Sequence, residues 1–184
     1  TGLTSGTQMK LKAQWANQSA GTYSGTKYGV TAGMLSHTGL SSFVASEIVD
    51  GTKTSSGQGR GFFVASSTTS GEMVVDLGSG NPQALGKISV WVAIATNAAV
   101  WTIAYSDDNS SWTNTSLTDF APGASAHTQD FVGTWDHVGA HRYWKMFISA
   151  GNGSGQGWVG DEIEWYTFAT TAKETRLHGW ALNY

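Results

Sequence analysis

Apolar and polar residues alternate in several short runs of the chain, a period of two that fits half-buried β-strands better than helices. Met73, Val75 and Leu77 share one face of residues 72–77, and Ile88, Val90, Val92 and Ile94 share one face of residues 87–95. Trp101, Ile103 and Tyr105 follow in the same manner, and Trp144, Met146 and Ile148 repeat the pattern. Between these runs, segments 78–82, 106–111 and 151–157 are rich in Gly, Ser, Asn and Asp, which accept turn geometry. Short strands punctuated by turns predict an all-β sandwich or barrel. Asp107, Asp108 and Asn109 are expected to make a hairpin turn, with Asn109 tolerating a positive φ and Trp112 entering the core beyond it. A weaker run (Met9, Leu11, Ala13, Trp15) marks residues 1–38 as an N-terminal arm or an added strand. The best helix candidate is 172–177, where Lys173, Glu174 and Arg176 are good helix formers.

Composition narrows the class of protein. A length of 184 residues suits one domain. Only 12% of residues are charged, while 40% are hydrophobic and nine are Trp, so the chain meets no criterion for disorder. The formal net charge of −3, without any run of Lys or Arg, removes the electrostatic footprint of a nucleic-acid or anionic-membrane partner. No apolar stretch approaches the length of a bilayer span, so membrane insertion is not expected. Zero cysteines exclude disulfides, thiolate metal sites and thiol nucleophiles.

Residues 41–166 carry five anchors in a recognisable order. They are Val49-Asp50-Gly51; Met73-Val74-Val75-Asp76-Leu77-Gly78; the strand, Asp-rich turn and Trp of 101–112; Arg142-Tyr143-Trp144-Lys145-Met146; and Glu162-Ile163-Glu164-Trp165-Tyr166. Together they resemble the discoidin, or coagulation-factor type C, family and its galactose-binding carbohydrate-module relatives. The resemblance implies an antiparallel β-sandwich, a discoidin-like jelly roll over residues 39–168, with 169–184 as a C-terminal extension. It also implies a structural calcium held between the early Asp-Gly loop and the closing Glu, here Asp50, Thr52, Thr54 or Ser55, and Glu162. A hard cation of this kind takes six to eight oxygens, so backbone carbonyls would complete the set.

In the resembling modules sugar is bound by loops at one end of the sandwich. By position the loop before Trp158 fits that role, with Trp158 as stacking platform and Asn152 or Gln156 reading hydroxyls, and with Asn97 approaching from the neighbouring turn. Trp158 could equally fold inward over the core, as large aromatics commonly do. Arg60, in a glycine-rich loop, could bond hydroxyls or a carboxylate, or simply be solvated. The family's usual Arg before Trp101 is replaced by the Ala95–Ala99 turn, which leaves the sugar class open.

Catalytic signals do not assemble. No Gly-x-Ser-x-Gly elbow is present. His137 and His141 lack the neighbours of a zinc motif, and His127 stands apart. The carboxylates at Asp107, Asp108, Asp161, Glu162 and Glu164 are explained by turns and strand edges. The expectation is a non-enzymatic module binding a cell-surface glycan, placed extracellularly or on a virion surface. The alternative is a structural subunit of a bacteriophage tail, spike or decoration, contacting neighbouring subunits and forming a homo-oligomer.

Overall fold

The computed structural model describes residues 25–53, 61–65, 69–95, 99–121, 129–150 and 158–168. Among the described residues eleven strands form two antiparallel sheets. The first contains β3 (Ser42–Phe43), β4 (Phe62–Val64), β11 (Trp158–Thr167), β6 (Leu85–Ala95) and β9 (Gln129–Thr134) in that order, with β1 (Lys27–Tyr28) also paired to β11. The second runs β2 (Leu35–Thr38), β5 (Glu72–Asp76), β10 (Tyr143–Ala150), β7 (Val100–Ser106) and β8 (Thr113–Asn114). An α-helical turn, α1 (Ala45–Ile48), leads into the Asp50-Gly51 loop, and Ile48 anchors it in the core. The four alternating runs read from sequence are β5, β6, β7 and β10. Residues 27–38 add β1 and β2, while 1–24 and 169–184, including 172–177, lie outside the described residues.

Period-two alternation sets what meets between the sheets. Met73, Val75, Trp101, Ile103, Trp144 and Met146 of the second sheet face Phe62, Ile88, Val90, Val92, Ile163 and Trp165 of the first, and all belong to one buried cluster. Trp135 bridges its aromatic members, 5.8 Å from Trp144 and 6.2 Å from Trp165. Each large side chain taken out of water contributes about 1.5–3 kcal/mol. With no disulfide available, that burial holds the sandwich together.

Two of the sequence anchors are bonded to each other. Arg142 Nε and Nη2 donate to the two carboxylate oxygens of Asp76 at 2.8 and 2.9 Å, and Gly78 N, at φ 84°, donates to the same carboxylate at 2.8 Å. The guanidinium bond holds the Asp76 carboxyl below its ordinary value, despite the opposing effect of burial. The Asp-Leu-Gly strand end and the Arg-Tyr strand start are thus two halves of one clamp between β5 and β10.

The hairpin turn forms as its residues predict, with Asn109 at φ 58°. Asp108 Oδ1 accepts from the backbone N–H groups of Ser111 (2.7 Å) and Ser110 (2.8 Å) and from Ser106 Oγ (2.9 Å). These donors lower its pKa strongly. Trp112, however, does not enter the core. It is half-buried on the outer face of the second sheet, with Lys145 Nζ 4.4 Å from its ring centroid. Outward-facing Lys145 offers a cation for the ring face, and the interior is already filled by Trp101 and Trp144. Asp108→Ala is expected to lower the melting temperature at neutral pH by a few degrees. Because the folded pKa is depressed, the contribution exists above the ordinary carboxylate range and fades as pH falls through it. Equal melting temperatures at pH 7 would remove this role from Asp108.

Candidate functional site

Strand register gathers three loops at one end of the sandwich. Trp158, the first residue of β11, lies opposite Val64 on one side and Ala95 on the other, at the last residues of β4 and β6. Ala150, where β10 ends, lies opposite Val100, where β7 begins. The chain therefore leaves this end in segments 65–71, 96–99 and 151–157. Close strand approach here needs glycine, since a Cβ on Gly160 would overlap the Phe62 ring. Of the residues expected to bind ligand, the structure puts the Trp158 backbone and the stems of the Asn97 and Asn152–Gln156 loops together. Asn97, Asn152, Gln156 and Arg60 lie outside the described residues, and of Trp158 only the backbone is described. Arg60's neighbour Gly61 joins the sheet further along β11, where a Cβ on it would press on the carbonyls of Gly160 and Asp161.

A second cluster lies on the outer face of the first sheet. Gly51, at φ 79°, donates its N–H to Glu162 Oε2 at 3.0 Å, while Thr52 N closes a turn on Asp50 Oδ1 at 2.7 Å. Glu162 is 1% exposed, and its Oε1 has no hydrogen-bond partner. Lys27 Nζ is 3.7 Å from that oxygen, beyond hydrogen-bond reach, and bonds Glu164 Oε1 at 2.7 Å instead. Burial pushes the Glu162 carboxyl up to about 7, against the Gly51 N–H and the Lys27 charge, with help from Glu164 and Asp50. Tyr166 OH donates to Glu164 Oε2 at 2.8 Å, and burial with this bond raises the phenol to about 12. Lys53 bonds Asp130 at 2.8 Å and sits over Trp91.

The arrangement tests the metal expectation on its own geometry. A buried carboxylate oxygen without a donor is costly unless a proton or cation neutralises it. Asp50 and Glu162 flank the Gly51 turn, each accepting a backbone N–H there, and Glu162 Oε1 is the oxygen left for a cation; Thr54 and Ser55 lie outside the described residues. Among the described residues no three His, Cys, Asp or Glu side chains converge as a metal group, so carbonyls and hydroxyls would supply most of the ligands. Lys27 and Lys53 carry no local sequence signal of this role. Glu162, Glu164 and Tyr166 share one face by alternation, which was a readable signal; Lys27 joins them only through the long-range pairing of β1 with β11.

His141 is engaged within the fold on both ring nitrogens. Its Nδ1 lies 3.1 Å from Asp107 Oδ2 and its Nε2 lies 3.1 Å from the Val138 carbonyl, while its ring stacks on Tyr105 at 4.1 Å. The described residues contain no helix long and apolar enough to cross a membrane.

No protein-family model and no curated protein sequence matches the chain. Solved structures do. Chitosan-binding module 1 of a chitosanase/glucanase from Paenibacillus sp. IK-5 superposes with a TM-score of 0.52 at 19% identity, over 75% of this chain and 96% of that module. The third family 32 carbohydrate-binding module of a family 31 glycoside hydrolase from Clostridium perfringens gives 0.52 at 13% identity, over 75% and 94%. The family 32 module of NanJ from C. perfringens, solved in complex with galactose, gives 0.50 at 14% identity, over 77% and 99%. At these identities the likeness is one of fold: the chain has the discoidin-like β-sandwich jelly-roll fold seen in these carbohydrate-binding modules.

Proposed function

We propose that the chain is a non-catalytic carbohydrate-binding module that seats a glycan at the end where segments 65–71, 96–99 and 151–157 leave the sheets. The observation that carries this reading is the placement of Trp158 at the head of β11, between the ends of β4 and β6. An aromatic at the junction of polar loops can stack on the apolar face of a sugar ring while amides bond its hydroxyls. Trp158 takes the first part, Asn152, Gln156 and Asn97 the second, and Arg60 a flanking contact. The galactose complex of the NanJ module supports a sugar as the ligand class. The carboxylates support a binding rather than a catalytic role: Asp76, Asp108 and Glu164 are engaged in bonds that build the fold.

The same proposal places a structural calcium ion at Asp50, Thr52, Thr54, Ser55 and Glu162, where it would neutralise the unpartnered Glu162 Oε1 and tie the Asp-Gly loop to β11. It also places the module outside the cell. Two of the neighbours named above come from a glycoside hydrolase and a chitosanase/glucanase, which favours a module working beside an enzyme over a phage tail or spike.

Trp158→Ala is expected to weaken binding of the best sugar on a glycan array by roughly ten- to a hundredfold, equivalent to about 1.4–3 kcal/mol. Titration calorimetry measures it. Undiminished affinity in a variant that melts like the wild type would overturn the assignment of this end.

A further inference from the structure

We propose a second carbohydrate subsite on the outer face of the five-stranded sheet, a pocket of about 190 Å³ that takes one neutral pyranose ring against Phe147. The inference rests on the glycan-binding reading above and extends it from the end of the sandwich to its side.

The pocket is a product of register. Thr38 of β2 lies opposite Glu72 of β5, and Glu72 lies opposite Phe147 of β10, so the three form one row across neighbouring strands. Alternation turns Phe147 outward while Met146 and Ile148 face the core. Ser70, the backbone of Gly39 and Gly71, and part of Ile148 complete the lining. Gly39 holds φ 71° and runs so close to Ser70 that a Cβ would stand 2.9 Å from its carbonyl oxygen. That approach presses the turn after β2 against the segment entering β5 and forms the rim.

The chemistry suits a sugar. Phe147 presents an aromatic wall, Thr38 and Ser70 supply hydroxyls that both donate and accept, and Glu72 supplies carboxylate acceptors for ring hydroxyls. Lys145 Nζ bonds Glu72 Oε2 at 2.9 Å and lies 5.0 Å from the Phe147 ring centroid, holding carboxylate and ring in place. The Lys145–Glu72 pair also cancels its own charge, so the pocket favours neither an anionic nor a cationic ring. Its volume is below the roughly 300–1,000 Å³ of pockets for drug-sized ligands, which limits it to a single ring. Phe147 stands three residues before Ala150, where β10 reaches the loop end, so a glycan chain seated at that end meets the ring after about 10 Å.

The experiment titrates wild type, Trp158→Ala and Phe147→Ala with galactose, glucose and N-acetylglucosamine, each as monosaccharide and tetrasaccharide. Wild type is expected to bind a tetrasaccharide more tightly than its monosaccharide. Phe147→Ala should remove about tenfold of the tetrasaccharide affinity, a larger loss than for the monosaccharide, which still has the Trp158 end to bind. In wild type, saturating tetrasaccharide should shift the backbone amide resonances of Gly39, Gly71 and Phe147, a readout independent of how the variant folds. Binding lost in Trp158→Ala but intact in Phe147→Ala, with those amides unmoved, overturns the subsite alone. Silence of wild type on all six sugars overturns the subsite and the end-loop reading together, whereas loss in Phe147→Ala alone retains the subsite and removes the end loops.

Discussion

Replacing Trp144 with alanine is expected to remove roughly 3–5 kcal/mol of stability. The side chain is fully buried in β10, between the ring of Trp135 at 5.8 Å and that of Tyr105 at 5.8 Å. Its Nε1 donates to the His141 carbonyl at 3.2 Å, so truncation leaves a cavity and also frees a carbonyl beside the Asp107 turn. Against a total of about 5–15 kcal/mol for a domain, this is a large fraction. Denaturant unfolding followed by tryptophan fluorescence measures the loss. Trp112→Ala is the internal comparison, because that ring is half-buried on the outer face and should cost much less. A Trp144→Ala midpoint within about 1 kcal/mol of wild type would mean that the two sheets do not meet where the core places them.

The second large effect comes from Glu162. In chelated protein its folded pKa of about 7 lies above the ordinary 4.5 because burial disfavours the charged form. The folded state therefore binds the proton more tightly than the unfolded chain. Stability from this group is complete below the ordinary value and declines as pH rises towards 7, by roughly 3 kcal/mol in total. Glu162→Gln, which cannot ionise and can still accept the Gly51 N–H, should abolish the decline and melt above wild type at pH 7.5. Added calcium should then raise the melting temperature of wild type at that pH and leave Glu162→Gln unmoved, since a ligand of the native state alone stabilises it. A wild-type melting temperature flat from pH 4.5 to 7.5 contradicts the buried carboxylate; equal calcium responses in both proteins contradict the ion site.

What the sequence revealed depended on periodicity and on local chemistry. The rows 73/75/77 and 144/146/148 declared both strand and inward face, because alternation is a local property. Asn109 declared its turn for a similar reason. Trp112 misled because the turn at 107–111 breaks the alternation, and nothing local says which side of the sheet the chain meets next. The clamp between Asp76 and Arg142 was visible as two motifs but not as one contact, since pairing of β5 with β10 is long-range. Glu162 follows from the family resemblance, whereas Lys27 requires the register of β1 on β11. The glycan loops announced themselves by composition alone, since Gly, Ser and Asn carry no period from which a side-chain direction could be read.

β11 supports one last consequence. Trp158 heads it, while near its foot Thr167 N donates to the Thr26 carbonyl at 3.0 Å. Ten residues of strand span roughly 30 Å. Residues 25–26 and 167–168 thus enter and leave the sandwich side by side, at the pole opposite the loops. In terms of modular architecture, both attachment points fall on one handle.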